Sequence, residues 1–115
     1  MPVRHRLPRT ARLLSGPQFK AVFDARRSHG NELFRIHYSP SEQPRLGMAV
    51  SRRVSLRAVV RNRIRRQIRE SFRLRRHQLA DMDFVVVARS AARHADRREL
   101  RNKLEQLWQR FSDNP

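Results

Sequence analysis

Arginines dominate the segment from residue 57 to residue 76, and their guanidinium groups allow this part of the chain to bind anionic ligands. The segment reads RAVVRNRIRRQIRESFRLRR, with nine arginines and a single acid, Glu70. A guanidinium stays charged and presents a planar fork of donors that fits phosphate oxygens and base edges. Because one acid cannot offset so many cations, the segment predicts a surface that binds a polyanion, with nucleic acid as the preferred partner.

An amphipathic helix must position these cations, since the segment has no Gly or Pro and is long enough for about five turns. Apolar side chains recur every four residues and predict the face that docks on a core. This apolar face comprises Val60, Ile64, Ile68 and Phe72. The opposite face comprises Asn62, Arg65, Arg66, Arg69 and Arg73. A solvated helix face usually alternates the sign of its charges, and this one does not, so solvation alone is the weaker interpretation.

The whole chain is strongly basic, which extends the same interpretation. Its 115 residues suit one domain, and 27 Lys and Arg against 10 acids give a net charge of +17. Binding to nucleic acid should then weaken steeply with salt, because counterions are released. There is no Cys, which excludes a disulfide framework and a thiolate metal site. No apolar run resembles a signal peptide or spans a membrane, so we expect a cytoplasmic protein with no membrane partner.

No constellation of side chains predicts catalysis. The histidines are scattered, and no two of them lie four residues apart to ligate a metal. They are His5, His29, His37, His77 and His94. The acids are spread singly, which argues against a two-metal carboxylate site, and the three Gly form no phosphate loop. The sequence therefore predicts a nucleic-acid-binding module with no catalytic residue and no metal ligand of its own.

The start of the chain predicts a basic arm followed by a short helix. Residues 1–14 carry four arginines and form either an arm that orders on RNA or a frayed terminus. Ser15, followed three residues later by Gln, has the spacing of a capping box, and the helix is expected to run to Arg27. Phe19 and Phe23 share one face of this helix. On spacing alone, core packing of the two rings is favoured over a nucleotide-stacking platform.

Three strands and a final helix complete the pattern. Residues 33–39 are rich in aromatic and branched side chains and predict a strand, and residues 45–51 predict a second strand that pairs with it as an antiparallel hairpin. Residues 83–88, DFVVVA, form a continuous apolar run typical of a strand buried on both faces. Asp96 opens a helix whose apolar stripe includes Trp108 and covers the sheet. These elements predict an α+β fold in one domain.

Two motifs carry a resemblance to a known family. The arginine helix contains RNRIRR at residues 61–66, followed by QIRESFR, and RLGMAVSRRV precedes it at residues 45–54. Together they resemble the protein subunit of bacterial ribonuclease P. The resemblance covers nearly the whole chain and includes the pair Phe19 and Phe23 and the apolar strand DFVVVAR. One departure is the segment after Val54, which is one residue longer than is usual and lacks the usual Gly.

The fold that the resemblance implies is a single-domain α/β sandwich over residues 1–115, in which a central mixed sheet packs with helices. The resemblance also implies a left-handed crossover from a central strand through the arginine helix to its parallel neighbour. About 98% of such crossovers are right-handed, so the family expectation runs against the general rule.

The function that the resemblance implies is removal of the 5′ leader from precursor tRNA. In this family the RNA subunit catalyses the metal-dependent hydrolysis, with Mg²⁺ held by that RNA and the substrate and none bound tightly by the protein. The protein binds the catalytic RNA and holds the leader. Its implied partners are therefore ribonuclease P RNA and precursor tRNA, with no obligate protein partner.

Two sets of site residues follow from the resemblance, matched by position. The set that faces the catalytic RNA comprises Arg61, Asn62, Arg63, Arg65, Arg66 and Arg69, with Arg73 on the same polar face. The set that lines a cleft for the leader comprises Phe19, Phe23, His37, Ser51, Arg52 and Arg53. With the family considered, the two phenyl rings are expected to stack on unpaired bases. His37 either stacks, donates to a phosphate or is a plain strand residue.

Three other interpretations stay open at this point. A structural or ribosomal RNA-binding protein shares the charge and the fold type, but has no reason to expose Phe19 and Phe23 in a groove. A DNA-binding regulator places the arginine helix in a major groove, which favours a short preceding helix where the pattern predicts a strand. A self-contained nuclease is the weakest interpretation, because no catalytic groups stand out.

Overall fold

The computed structural model describes residues 11–12 and 15–112, which fold around a four-stranded sheet. The helices are α1 (Gly16–Asp24), α2 (Ala58–Arg75) and α3 (Arg97–Trp108). The strands are β1 (Ser28–Gly30), β2 (Phe34–Pro40), β3 (Arg45–Ala49) and β4 (Met82–Ala88). Short 3₁₀ turns follow α2, β4 and α3, at Arg76–Gln78, Ser90–His94 and Gln109–Phe111. Most of the predicted basic arm, at residues 1–10, 13 and 14, lies outside the described residues.

The apolar strand β4 occupies the interior of the sheet, in the order β1-β2-β4-β3. It pairs antiparallel with β2 and parallel with β3, so the predicted hairpin between residues 33–39 and 45–51 is wrong. Because β4 is apolar at nearly every position, it is most stable where strands on both edges and layers on both faces bury it. It therefore separates β2 from β3. Arg45 and Asp83 join the starts of the parallel pair, with nitrogen to carboxylate distances of 2.6 and 2.7 Å.

The segment between α1 and β2 also differs from the prediction. The helix ends at Asp24, short of the expected Arg27, and Arg26 beyond it has a positive φ of 56°. Residues 28–30, expected only to end the helix, form the edge strand β1, which pairs with β2. Such a short strand contains no periodic signal, and so the sequence did not reveal it.

Helices α2 and α3 pack side by side on one face of the sheet and enclose the main core. The predicted apolar face of α2 is confirmed: Ile64, Ile68 and Phe72 are fully buried. Val60, the fourth member of that face, is partly buried against the same core. Trp108 of α3 is fully buried as expected, with its ring centroid 5.7 Å from that of Phe72.

Helix α1 covers part of the opposite face of the sheet. Val22 of α1 is buried against Val85 of β4, and Phe19 and Val87 pack around this pair. The layers on both faces of the sheet confirm the expected α/β sandwich with a central mixed sheet. The elements β3, α2 and β4 follow one another as the implied parallel crossover, whose left-handed sense stays a prediction.

Predicted caps hold two of the helices. Ser15 Oγ accepts from the N–H of Gln18 at 3.4 Å, and Gln18 Oε1 accepts from the N–H of Ser15 at 3.1 Å. Asp96 accepts from the N–H of Glu99 at 2.8 Å. Helix α2 has no side-chain cap at Arg57, so other contacts must fix its start.

Replacing Ser71 by alanine is expected to destabilise the fold by about 1–3 kcal/mol. The indole N–H of Trp108 donates to Ser71 Oγ at 2.9 Å, and both groups are buried, so the variant leaves a buried donor without an acceptor. Denaturant unfolding measures the change. Ser90→Ala, at an exposed position, is the control and should stay within about 0.5 kcal/mol of wild type. Equal stability of the two variants would contradict this role for the hydroxyl.

Candidate nucleic-acid interface

The polar side of α2 presents free cations to solvent. Asn62, Arg66 and Arg69 are exposed. Among the residues that the structure describes, the side chains of Arg66 and Arg69 have no hydrogen-bond or ion-pair partner. Their guanidiniums therefore keep every donor available, which is the state that suits phosphate binding. We call this surface the arginine face, and it comprises Arg61, Asn62, Arg65, Arg66, Arg69 and Arg73.

Two arginines of this face also fix the start of α2. Arg61 Nη1 donates to the carbonyl of Ser55 at 2.9 Å. Arg65 Nη2 donates to the carbonyl of Val50 at 3.2 Å, and Arg65 Nη1 donates to Asn62 Oδ1 at 3.2 Å. These contacts substitute for the missing cap, since they tie the longer segment after β3 to the helix. Arg61 and Arg65 thus position the arginine face as well as adding charge to it.

Arg63 and Arg73 differ from Arg66 and Arg69 because their guanidiniums have partners within the fold. Arg63 Nη2 points to the turn before α3, where it donates to the carbonyls of Arg93 and Ala95 at 3.3 and 3.4 Å. Arg63 therefore lies on the flank of α2 that faces α3. Arg73 binds Glu70, with Nη2 2.8 Å from Oε2, so the lone acid of this helix does neutralise one guanidinium.

A second candidate surface lies between α1 and the sheet. Phe23 is 38% exposed, and its ring stands edge-on to His37 of β2 with the centroids 4.7 Å apart. Phe19, one turn earlier, is partly buried against Val22 and Val85. The phenyl pair is thus divided, because Phe23 offers ring surface to solvent while Phe19 belongs to the small core. We call this surface the α1 cleft, defined by Phe19, Phe23 and His37.

Strand register sets the floor of the α1 cleft. One row across β2, β4 and β3 comprises His37, Val85 and Gly47. The next row on the same face comprises Arg35, Val87 and Ala49. Arg35 thus shares the sheet face of His37, although it was not among the predicted site residues. The alternation within β2 contained the signal, since residues two apart on a strand point to the same side.

The turn after β3 forms a separate rim. Ser51, Arg52 and Arg53 are exposed, and Ser51 Oγ accepts from the N–H of Arg53 at 3.2 Å. Because β4 separates β3 from β2, this turn lies about 10 Å or more from His37. The predicted leader residues therefore form two groups rather than one contact cluster. The rim adjoins the arginine face, since Val50 next to it accepts from Arg65.

The surroundings of His37 favour its neutral form. Burial lowers its pKa below the usual 6.5, and the charge of Arg35 lowers the pKa further. A neutral imidazole suits stacking or a single hydrogen bond better than an ionic contact with phosphate. Because the folded pKa is the lower one, the unfolded chain takes up this proton first as the pH falls, so the stability contribution of His37 decreases below about pH 6.5.

Phe23→Ala is expected to raise the pKa of His37 toward 6.5, because the phenyl ring contributes to the burial that disfavours the charged imidazole. An NMR titration of the His37 ring protons measures this shift. His29, whose pKa burial also lowers, is the internal control and should keep its midpoint. An unchanged midpoint for His37 would mean that Phe23 does not shield it.

The part of the chain that the structure describes has neither a metal-ligand cluster nor a membrane-spanning helix. In residues 11–12 and 15–112, no group of three or more His, Asp or Glu is placed to hold a metal ion. No helix within the same residues is long and apolar enough to cross a bilayer. Several acids bind arginines instead, in the pairs Asp83 with Arg45, Glu70 with Arg73 and Glu105 with Arg75.

Comparison with known proteins decides the family. The family model described as Ribonuclease P matches residues 7–112, which is nearly the whole chain. The chain belongs to the ribonuclease P protein family. A ribonuclease P protein component from Xanthomonas campestris pv. campestris (strain B100) is 44% identical over 111 residues, covering 96% of this chain and 75% of the relative. One from Escherichia coli O157:H7 is 43% identical over 110 residues, covering 94% of this chain and 92% of the relative.

Solved structures of ribonuclease P proteins share the fold. The RNase P protein from Staphylococcus aureus matches with a TM-score of 0.83 at 25% identity, covering 96% of this chain and 98% of that one. The RNase P protein from Thermotoga maritima matches with a TM-score of 0.74 at 28% identity, covering 95% and 99%. The predicted family and the predicted role as a protein subunit of ribonuclease P, an enzyme of tRNA processing, are thus confirmed.

Proposed function

We propose that this chain binds the catalytic RNA of ribonuclease P through the arginine face and holds the 5′ leader of precursor tRNA in the α1 cleft. The RNA subunit carries the catalytic step, with Mg²⁺ held by that RNA and the substrate. No residue of this chain is assigned to catalysis or to metal binding. The chain acts in the cytoplasm and needs no obligate protein partner.

The observation that carries the proposal is the exposed ring of Phe23 beside the ring of His37, on the sheet face that also carries Arg35. Unpaired bases stack on such rings, and each stacked base contributes about 1–3 kcal/mol. The leader is a single strand, so its bases are free to stack. Paired bases in the body of a tRNA are not, and this difference favours the leader as the occupant of the α1 cleft.

The positions of the arginine face and the α1 cleft on opposite sides of the sheet support separate binding sites for the catalytic RNA and the leader. Helix α2 lies on one face of the sheet and α1 on the other, so the arginine face and the α1 cleft belong to different layers. The turn of Ser51, Arg52 and Arg53 connects them, because it follows Val50, whose carbonyl accepts from Arg65. A leader that leaves the α1 cleft across β4 and β3 meets Arg52 and Arg53 before it reaches the RNA on α2.

Affinities for precursor and mature tRNA test the proposal, since the two forms differ only in the leader. Binding is measured under conditions that block cleavage, with the catalytic RNA alone and with the RNA plus this chain. We expect the chain to strengthen precursor binding about 5- to 150-fold, from one stacked base, and to leave mature tRNA nearly unchanged. An equal increase for both forms would assign the chain a purely structural role in the ribonucleoprotein.

A further inference from the structure

We propose that a basic strip along the seam between α2 and α3 is a second contact surface for the phosphate backbone of ribonuclease P RNA. The strip comprises Arg63, Arg97, Arg98 and Arg101. Its α3 members extend the RNA-binding surface well beyond the motif on α2. The inference rests on the proposed function only in naming this RNA as the partner.

The two helices run parallel along the seam. Near its start, Arg63 of α2 donates to the carbonyl of Ala95, just before α3, at 3.4 Å. Further along, Arg75 Nε near the end of α2 donates to Glu105 Oε2 at 2.8 Å. Contacts that advance together in both helices mean that the helices point the same way. Their amino-terminal halves therefore lie side by side, and their cations add to one surface.

Charge is distributed unevenly along the seam. In its carboxyl-terminal half, Arg75 is neutralised by Glu105. In its amino-terminal half, Arg63 contacts only carbonyl groups, and Arg101 Nη2 donates to the neutral amide of Gln67 at 3.1 Å. The Nε of Arg101 is buried without a hydrogen-bond partner. No carboxylate among the described residues binds either of these two guanidiniums, so the amino-terminal half keeps its positive charge.

Arg97 and Arg98 lie on the same flank of α3 as Arg101. They precede Arg101 by four and three residues, which makes both of them its neighbours on the helix surface. Glu99, the acid in the first turn, falls instead beside Lys103. The ammonium of Lys103 binds an acid of the loop before β2, so that flank faces away from α2. The strip beside α2 is thus purely basic over the first turns of α3.

The positions of Arg97 and Arg98 are unfavourable for α3 itself. They are the first two residues of the helix, where the helix dipole favours acids over cations. Both are exposed, and neither side chain forms a hydrogen bond or an ion pair with any described residue. The adjacent carboxylate of Asp96 caps the N–H of Glu99. The two guanidiniums therefore contribute little to the fold, and an RNA backbone along the seam offsets their charge.

Replacement of Arg97 and Arg98 by alanine in the full chain tests the strip, with ribonuclease P RNA as the ligand and no tRNA present. The slope of log affinity against log salt is negative, and we expect its magnitude to decrease by up to about 1.4–1.8. Each lost phosphate contact accounts for about 0.7–0.9 of this decrease. At 0.1 M salt this is a loss of affinity of about 25- to 60-fold. The thermal midpoint of the variant should stay level or rise.

The matched control is Arg76→Ala with Arg110→Ala, which removes the same charge from the other end of the seam. Neither side chain forms a hydrogen bond or an ion pair within the described residues. If wild-type protein binds the RNA and both double variants show the wild-type salt slope, the strip is a solvated surface. The inference about the strip then fails, while the proposed function stands. A slope change that requires precursor tRNA assigns the strip to the substrate and also overturns it. If wild type does not bind the RNA, the proposed function fails.

Discussion

Alanine at Arg65, Arg66 and Arg69 is expected to flatten the salt dependence of binding to ribonuclease P RNA more than any other change considered. Each lost phosphate contact removes about 0.7–0.9 from the slope, so the three together remove up to about 2.1–2.7. At 0.1 M salt the affinity should fall about 100- to 500-fold. Titrations of the RNA at several salt concentrations measure both quantities.

Arg65 requires a separate control because its guanidinium also holds the carbonyl of Val50. The variant with alanine at Arg66 and Arg69 alone removes only exposed cations and leaves that contact intact. The magnitude of its salt slope should decrease by up to about 1.4–1.8, whereas the variant with alanine at Arg76 and Arg110 should keep the wild-type slope. Wild-type slopes in both the double and the triple variant would mean that the arginine face is merely solvated.

Phe23→Ala is expected to weaken the binding of precursor tRNA to the holoenzyme about 5- to 150-fold and to leave mature tRNA nearly unchanged. The range follows from the loss of one stacked base, at about 1–3 kcal/mol. Because Phe23 is 38% exposed, the variant should lose little stability. Affinities for both tRNA forms, together with a thermal melt of the free protein, measure the two effects.

Phe19 needs different variants, because it packs in the small core with Val22 and Val85. Phe19→Leu keeps an apolar side chain there but removes the aromatic face, so it should preserve the melt and report on stacking alone. Alanine at both Phe19 and Phe23 is expected to lower the melting temperature, since a partly buried ring is then lost as well. Equal losses for precursor and mature tRNA in Phe23→Ala would return that ring to a structural role.

Most helices and strands of this fold could be predicted from the sequence, but the pairing of the strands could not. Periodicity identified the apolar face of α2, and the run DFVVVA identified β4, because both signals arise within one segment. The expected hairpin failed because adjacency in sequence does not show that β4 inserts between β2 and β3. The resemblance to the family supplied the mixed sheet, which local patterns do not encode.

The site shows the same division between local and tertiary information. Spacing placed Arg66 and Arg69 on an exposed surface, and the structure agrees. It did not show that Arg63 turns toward α3, because that contact depends on how two distant segments pack. Spacing also did not show that Phe23 is exposed while Phe19 is partly buried, since this difference arises from the strands beneath α1.

The rate of precursor tRNA cleavage at low Mg²⁺ tests the central claim most directly. Three reactions are compared: a bacterial ribonuclease P RNA alone, the same RNA with this chain, and rigorously RNA-free chain alone. We expect faster removal of the 5′ leader when RNA and chain are combined, and no cleavage by the chain alone. Cleavage by the RNA-free chain, or an RNA rate that the chain does not change, would contradict it.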